Sequence, residues 1–200
     1  MNIQAKELEA ALRRIKELED QVKELEDQVK ELGKLVDRDT LITAILNRRG
    51  VEGRLAPMLE EAFLVSDKRL GVPPTQRICV VYCDIDRFKE VNDFYGHPSG
   101  DEVLLYFASM MKRRVRKTDL VGRFGGDEFV VVFLNSAPRE AENKMTEIAE
   151  EFAGHGFPFD EEARLSVSFG IACAQEFNEM STLIAGAELR MRNAKGSKAR

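Results

Sequence analysis

The chain has 200 residues, of which 44% are hydrophobic and 32% charged, so it carries enough apolar side chains to form a folded core. Its net charge of −5 argues against a surface that binds a nucleic-acid polymer or an anionic membrane over the whole chain. No apolar run approaches the roughly 20 residues that cross a bilayer, and the N-terminus lacks the apolar segment of a signal peptide. We therefore expect a cytoplasmic protein without a membrane span.

Residues 1–39 have the pattern of a coiled-coil helix. The segment KELEDQV at 16–22 is repeated unchanged at 23–29. Apolar residues fill both heptad core positions: Leu8, Ile15, Val22, Val29 and Val36 at a, and Ala11, Leu18, Leu25 and Leu32 at d. Mostly β-branched residues at a with leucine at d favour a parallel two-stranded coiled coil, so we predict a homodimer. The alternative is a single solvated helix, which does not need this strict spacing.

Residues 40–200 alternate helical and strand patterns, with turn residues between them. The patterns predict helices over 40–66, 100–115, 138–153 and 180–195, and strands over 78–85, up to about 124, over 128–134 and over 165–172. This order is typical of a single mixed α/β domain. The three cysteines, Cys79, Cys83 and Cys173, are odd in number and lack a metal-binding spacing, so we expect reduced core residues.

The motif RFGGDEF at 123–129 places acidic residues at the tip of a predicted hairpin. Gly125 and Gly126 separate two strand-like runs, and glycine tolerates the positive φ of tight turns. Asp127 and Glu128 follow at once. The alternative is a polar turn that needs the acids only for solubility.

A second motif, CDIDRFKEVNDFYGHPSGD at 83–101, begins in an apolar strand and ends at a helix. Asp84 and Asp86 close the strand, and the ends of strands are where α/β sheets bind ligands. Lys89 adds positive charge nearby. Asp101 is expected to open a helix, where an acid is also common as a cap.

Together these motifs resemble the GGDEF family, the diguanylate cyclases of bacterial signalling. The resemblance covers about residues 40–198 and includes RKTD at 116–119, the strand SVSFG and the helix ending in AK. It implies a palm-like nucleotidyl-cyclase fold, with a mostly antiparallel sheet flanked by helices. It also implies the reaction, in which two GTP condense to cyclic di-GMP and two pyrophosphates.

The resemblance assigns roles to the acidic residues. Asp84 and Asp127 match the family's metal ligands, with the carbonyl of Ile85 as a backbone ligand, and Glu128 is expected near the metal or the attacking hydroxyl. Forming a phosphodiester needs a metal to neutralise the triphosphate, so the implied cofactor is Mg²⁺, with Mn²⁺ as an alternative. For Asp86 a structural role and a functional role both remain open.

The remaining matches concern the substrate. Lys89 and Lys195 match phosphate-binding lysines, and the backbone at Phe88 is expected to approach the phosphates. Asn92 and Asp101 match the pair that reads guanine, since a carboxylate accepts from donors that adenine lacks. GTP is therefore the expected substrate. For Lys195 the alternative is an exposed lysine that interacts with the helix dipole.

Arg116 and Asp119 match the family's inhibitory RxxD motif, which implies a binding site for the product. A guanidinium can clamp phosphate or guanine, and a carboxylate can accept from the base. The alternative is a surface ion pair. A further arginine of that site aligns with Glu147, so product inhibition is expected to be weak.

Besides Glu147, three further positions depart from the family pattern. The motif DxLTGLxNRR appears as TLITAILNRR at 40–49, with Thr40 in place of its acid and Ala44 in place of its glycine. A terminal arginine aligns with Ala199, for which Lys198 or Arg200 is a substitute.

We predict a diguanylate cyclase in residues 40–200, held as a homodimer by residues 1–39. A symmetric dimer can bring two half-sites together around a two-fold symmetric product. One alternative is a weak or inactive GGDEF module that binds GTP or cyclic di-GMP as a regulator. Another is an adaptor in which only the coiled coil matters.

Overall fold

The computed structural model describes residues 12–23, 25, 32, 36–63, 77–177 and 179–198. The chain divides into two compact units, Met1–Asp37 and Arg38–Arg200. The first unit contains a helix over residues 12–23, named α1. Its apolar side chains at heptad positions are exposed, for example Ile15 at 52% and Val22 at 54%. This exposed stripe is what the heptads predict for one strand of a coiled coil. The dimer stays a prediction, and the heptad positions Leu8, Ala11 and Val29 lie outside the described residues.

The described part of the second unit is one sheet with helices on both faces. Its elements are β1 Leu46–Asn47, α2 Arg48–Phe63, β2 Ile78–Ile85, α3 Phe88–Tyr95, α4 His97–Arg114, β3 Leu120–Arg123, β4 Glu128–Leu134, α5 Pro138–Gly154, β5 Val167–Cys173 and α6 Met180–Lys198. The strand order is β1-β3-β4-β2-β5, and only the β1–β3 pair is parallel. The predicted mixed fold with a mostly antiparallel sheet is confirmed. Within the described ranges, no helix combines the length and apolarity needed to cross a bilayer.

Side-chain alternation along the strands divides the core into two layers. All eight residues of β2 are buried, because both faces of this central strand are covered. Its odd-numbered residues, from Cys79 to Ile85, pack with α3, α4 and α5. Its even-numbered residues, from Ile78 to Tyr82, pack with α2 and α6. Asp84 belongs to the second set and so lies on the face that α6 covers.

The helix α6 comes close to the sheet at Gly170 of β5. A Cβ atom built on Gly170 would lie 2.1 Å from the backbone nitrogen of Met191 and 2.4 Å from the carbonyl oxygen of Ala187. Only glycine allows this approach, since any side chain would push the helix away. The C-terminal turn of α6 is thereby brought to the end of β2, where the acidic motif lies.

Two predicted helix boundaries are wrong. Residues 40–45 are turns rather than helix, because Oδ1 of Asp39 accepts from the backbone N–H groups of Leu41 and Ile42 at 3.0 and 2.7 Å and folds the chain back. The helix α2 starts at Arg48, where the side chain of Asn47 accepts from the N–H of Gly50. Asp101 does not open a helix, since α4 already starts at His97.

The prediction of three reduced cysteines is also wrong. Cys79 on β2 and Cys173 on β5 are paired across the two strands, with Cα atoms 4.1 Å apart, and form a disulfide. Cys83 is free and buried, and burial raises the pKa of its thiol. The pairing could not be found from spacing, because it depends on the register that brings together residues 94 positions apart.

Candidate active site

Two carboxylates meet where β2 ends. Asp84 lies opposite Glu128 in the β2–β4 register. Glu128 is the first residue of β4, so Asp127 is the last residue of the turn between β3 and β4. The backbone N–H of Ile85 donates to the carbonyl oxygen of Asp127 at 3.2 Å, which ties that turn to β2. Burial is the main cause that raises the pKa of Asp84, and the nearby charge of Asp127 raises it further. The two acids predicted as metal ligands are therefore close enough to repel each other.

The ammonium group of Lys195 interacts with both of these acids. Lys195 belongs to the last turn of α6, and its Nζ donates to Oδ1 of Asp84. Burial lowers the pKa of Lys195, but its hydrogen bond to Asp84 and the charges of Asp84 and Asp127 outweigh burial and raise it. Lys195 is thus part of the site rather than an exposed lysine that merely ends a helix.

The donor set fits a divalent cation that prefers oxygen ligands. Mg²⁺ is usually held by one or two carboxylates together with substrate phosphates. Asp84 and Asp127 repel each other and already attract an ammonium, so positive charge is stabilised between them. Across the described residues, no group of three or more His, Cys, Asp or Glu side chains could hold a metal. Asp84 and Asp127 can thus supply two carboxylate ligands, and Mg²⁺ in such sites usually takes further oxygens from water and substrate phosphates.

Asp86, two residues beyond Asp84, has a different environment. Its carboxylate accepts from the hydroxyls of Ser166 and Ser168, both at 2.6 Å, and from Nζ of Lys198 at 2.9 Å. Burial alone would raise the pKa of Asp86, but these three hydrogen bonds lower it. Its partners favour the structural role over the functional one. Lys198 is engaged here and at the carbonyl of Val167, while Ala199 and Arg200 lie outside the described residues.

The helix α3 begins directly after this strand end. Arg87 precedes it in the left-handed region, with φ of 61°, so the chain turns sharply between Asp86 and the helix. Phe88 is buried and anchors the first turn, whereas Lys89 is exposed beside it. The first N–H groups of a helix attract anions, so this turn is suited to phosphate, as the sequence predicts.

The two predicted guanine-reading residues lie on neighbouring helices. The side chain of Asn92 on α3 lies against Gly100 of α4, where an added Cβ would be 2.0 Å from Oδ1 of Asn92. Asp101 follows Gly100 and is exposed. The close α3–α4 contact therefore places Asn92 against the residue that precedes Asp101, and the lack of a side chain at Gly100 permits it.

Arg123 holds the turn that carries Asp127. Its guanidinium donates twice to the carbonyl of Gly126, at 3.1 and 2.8 Å, and pairs with Asp39 at 3.4 Å. Sequence reasoning missed Asp39, because an ungapped alignment puts Thr40 at the family's acid position. The signal was present, since Asp39 is one residue earlier. Asp39 accepts from the N–H groups of Leu41 and Ile42 and pairs with Arg123, while Thr40 is exposed.

Glu128 is held on the other side of the same turn. Its Oε2 accepts from the hydroxyl of Tyr82 at 3.0 Å and lies over Gly125. The expectation that Glu128 lies near the metal or the attacking hydroxyl stays a prediction. Sequence reasoning missed Tyr82, whose apolar neighbours in ICVVYCDI give no sign of a polar task.

The corner after α4 contains the predicted product site. Both oxygens of Asp119 accept backbone N–H groups, from Arg116 at 2.9 Å and from Leu134 at 3.1 Å, and Asp119 is only 3% exposed. The contact between Arg116 and Asp119 is thus a turn rather than the surface ion pair considered above. The side chain of Arg116 is exposed. Glu147 on α5 pairs with Lys144, which lowers the pKa of Glu147, and Arg114 at the end of α4 lowers it further.

The chain is similar to known proteins in sequence and in fold. Residues 36–200 match the family described as diguanylate cyclase, GGDEF domain. Diguanylate cyclase TpbB of Pseudomonas aeruginosa is 42% identical over 91 residues, which are 46% of this chain and 19% of that protein. Response regulator PleD of Caulobacter vibrioides is 35% identical over 164 residues, which are 78% of this chain and 33% of that protein. The chain thus spans a third or less of these relatives.

A solved structure shares the fold over nearly the whole chain. It is the coiled coil and GGDEF domain of DgcB from Caulobacter crescentus in complex with c-di-GMP, with a TM-score of 0.75 at 24% identity and 95% coverage of both chains. The family match includes the strand end, the signature turn and the helices α3, α4 and α6. The chain therefore belongs to the diguanylate cyclase, GGDEF domain family.

Proposed function

We propose that this protein is a diguanylate cyclase that condenses two GTP into cyclic di-GMP and two pyrophosphates. The observation that carries the proposal is the meeting of Asp84 and Asp127 beside Lys195, with Asn92 and Asp101 on the adjoining helices. Carboxylates for a metal, cations for phosphate and a base-reading pair are the parts that this reaction needs. The curated relatives named diguanylate cyclase support the same activity.

The reaction consists of two equivalent displacements. In each, the 3′ oxygen of one GTP bonds to the α phosphorus of the other. The bond from that phosphorus to the oxygen bridging the α and β phosphates breaks, so pyrophosphate leaves, and the hydroxyl proton passes to water. Asp84, Asp127 and the carbonyl of Ile85 would hold Mg²⁺ or Mn²⁺. When bound, the metal supplies charge neutralisation of the triphosphate and a more acidic 3′ hydroxyl.

Phosphate binding falls to cations and to the start of α3. Lys195 is drawn to Asp84 in this structure, and a triphosphate offers it a more strongly charged partner. Lys89 and the backbone at Phe88 lie at the first turn of α3, where N–H groups favour anions. These groups would orient the triphosphate for attack.

Guanine recognition is assigned to α3 and α4. The carboxylate of Asp101 can accept from N1–H and the 2-amino group, and the amide of Asn92 can reach another edge of the base. Adenine lacks the N1–H and 2-amino donors, so it would leave this carboxylate without those two partners. We therefore propose GTP rather than ATP as the substrate.

The dimer is assigned to residues 1–39 and catalysis to residues 40–200. The exposed apolar stripe of α1, with Leu18 at 45% and Val22 at 54% exposure, supports pairing with a second copy. Each copy would offer one GTP, so holding two half-sites together contributes proximity. Charged residues at Val22 and Leu25 should give monomers by light scattering and lower activity.

Product inhibition is assigned to Arg116. Its exposed guanidinium can bind phosphate or guanine, while Asp119 fixes the turn that carries it. The complex of DgcB with c-di-GMP supports binding of this ligand by the fold. The acidic Glu147 opposes an anionic ligand, so we propose weak inhibition.

The test is identification of the product. The purified protein is incubated with Mg²⁺ and either GTP or ATP, and the products are resolved by mass. We expect cyclic di-GMP and pyrophosphate from GTP and no cyclic dinucleotide from ATP. Binding of GTP without any product would instead show a regulatory module. Absence of nucleotide binding by residues 38–200 would leave only the coiled-coil adaptor.

A further inference from the structure

The hydrogen bond between Tyr82 and Glu128 joins the centre of the sheet to the signature turn. Tyr82 lies on β2, two residues before Asp84 and on the same face of the sheet. Tyr82 is only 5% exposed, and a buried tyrosine hydroxyl needs a partner. Its hydroxyl donates to Oε2 of Glu128 at 3.0 Å. A residue of the core thereby holds the carboxylate of Glu128.

The carboxylate of Glu128 also packs against Gly125 of the signature turn. A Cβ atom on Gly125 would be 2.5 Å from Oε2 and 3.3 Å from Cδ of Glu128, so the carboxylate occupies the space that glycine leaves. The carbonyl of Glu128 accepts from the backbone N–H of Phe124 at 2.8 Å, which closes the turn. Glu128 therefore contacts the turn with both its backbone and its side chain.

The ring of Tyr82 has little freedom to move away. It meets the ring of Phe124 edge to face, with centroids 5.9 Å apart. The guanidinium of Arg48 lies over the other ring of this pair, 5.3 Å from the centroid of Phe124, and is held by Glu52 at 2.8 Å. This support fixes the position of the Tyr82 hydroxyl.

We propose that Tyr82 is a positioning residue for the metal site. By holding Glu128 against Gly125 it fixes the turn, and the turn carries Asp127, which must face Asp84 around a shared cation. The inference rests on the proposed function for the identity of the cation site. Its effect reaches the metal through Glu128 and the turn, without contact between Tyr82 and substrate.

The substitution Tyr82→Phe isolates this role. Phenylalanine keeps the ring in the core and its contact with Phe124, and removes only the hydroxyl. The carboxylate of Glu128 then loses a fixed donor and can turn towards water, so Asp127 is less well oriented. Loss of a hydrogen bond to a charged group corresponds to about a ten- to hundredfold effect, of which only a part reaches the metal through the turn, so we expect about three- to tenfold weaker metal binding.

The experiment measures Mn²⁺ affinity by the electron paramagnetic resonance of free Mn²⁺, in the presence of a GTP analogue with a methylene α–β bridge. The variants are Tyr82→Phe, Glu128→Ala, the double variant, and Tyr106→Phe as the matched control. Tyr106 stacks on His155, with centroids 3.7 Å apart, and packs against the core layer on the opposite face of the sheet from Tyr82. Thermal unfolding of each variant confirms that it is folded.

We expect weaker Mn²⁺ binding for Tyr82→Phe, wild-type binding for Tyr106→Phe, and no further loss when Tyr82→Phe is added to Glu128→Ala. Unchanged affinity in Tyr82→Phe, or an equal loss with and without Glu128, would overturn the proposal. In the turnover assay kcat should fall while KM for GTP stays constant. If the wild type makes no product, the proposed function fails, whereas the Mn²⁺ data still decide the role of Tyr82.

Discussion

The end of β2 and the corner after α4 each carry an aspartate, Asp84 and Asp119, yet the two carboxylates differ in what surrounds them. Asp119 at the corner accepts two backbone N–H groups and is 3% exposed. Asp84 at the strand end faces another carboxylate, Asp127, and a lysine ammonium, and its pKa is raised. The carboxylate of Asp119 is satisfied by backbone donors of the fold, whereas the pair Asp84 and Asp127 is stabilised by positive charge placed beside it.

We interpret this difference as one between structural acids and the proposed metal ligands, and it recurs within the motif at 83–101. Asp86 resembles Asp119, because two serine hydroxyls and Lys198 satisfy it and its pKa is lowered. Asp84 lies only two residues away and has the opposite shift. Repelling carboxylates cost stability, so a protein that keeps them has a use for them.

The largest expected effect comes from breaking the repelling pair. Asp127→Asn keeps the shape of the turn and removes one metal ligand. We expect cyclic di-GMP synthesis to fall by about a hundredfold or more, since the metal carries much of the charge stabilisation. The measurement is initial rate at saturating GTP and Mg²⁺, with thermal unfolding as the control. Near-normal synthesis would remove Asp127 from the site.

A satisfied acid should respond through stability instead. Ser168→Ala removes one of the hydroxyls that Asp86 accepts, at a position that is 1% exposed. We expect the free energy of unfolding to fall by about 1–3 kcal/mol in urea titrations, because a buried carboxylate oxygen loses its donor. Metal affinity should stay close to the wild-type value. A stable variant with weak metal binding would place Asp86 among the functional acids.

The product site gives a smaller effect on regulation. Arg116→Ala removes the exposed guanidinium and leaves the backbone N–H that Asp119 accepts. We expect several-fold more cyclic di-GMP to be needed for half inhibition, with an unchanged initial rate, because one charge-assisted contact is lost. Progress curves with added cyclic di-GMP measure this. Identical curves for both proteins would exclude Arg116 from a product site.

The smallest effect is a pH dependence at another satisfied acid. Tyr95 donates to Asp160 at 2.6 Å, and this bond is the main cause that lowers the pKa of Asp160. A lowered pKa stabilises the fold at pH values above the unfolded pKa of about 4, and the gain is lost as pH falls through the folded pKa. Tyr95→Phe should therefore unfold at lower urea than wild type at pH 7. The difference in urea midpoint between the two proteins should close towards pH 3. A difference that stays constant with pH would contradict this role of the Tyr95–Asp160 hydrogen bond.

The fold was largely predictable because its strands have strong patterns. The run ICVVYCDI is β2 as predicted, and EFVVVFL is β4, since both are apolar on two faces. The turn after residue 40 was not predictable, because it depends on the hydrogen bonds that Oδ1 of Asp39 accepts from the N–H groups of Leu41 and Ile42. Such bonds leave no periodic pattern in the sequence. The Cys79–Cys173 pair depends on register and was missed for the same reason.

The site was predictable where motif residues act directly and not where neighbours support them. The structure brings Asp84, Asp127 and Lys195 together, although the roles of these residues are still proposals. Tyr82 and Asp39 were missed, because each acts by contact across the fold with a residue distant in sequence. Such contacts follow from strand alternation and turn geometry rather than from residue type.

The most direct test compares the two aspartates as metal ligands. Calorimetric titration with Mg²⁺, in the presence of the methylene-bridged GTP analogue, is carried out on the wild type, Asp84→Asn and Asp119→Asn, each checked for native helical circular dichroism. We predict that Asp84→Asn loses the metal-binding heat, whereas folded Asp119→Asn retains wild-type affinity. Equal affinity in all three proteins, or loss in Asp119→Asn alone, would contradict the assignment of the metal site to the end of β2.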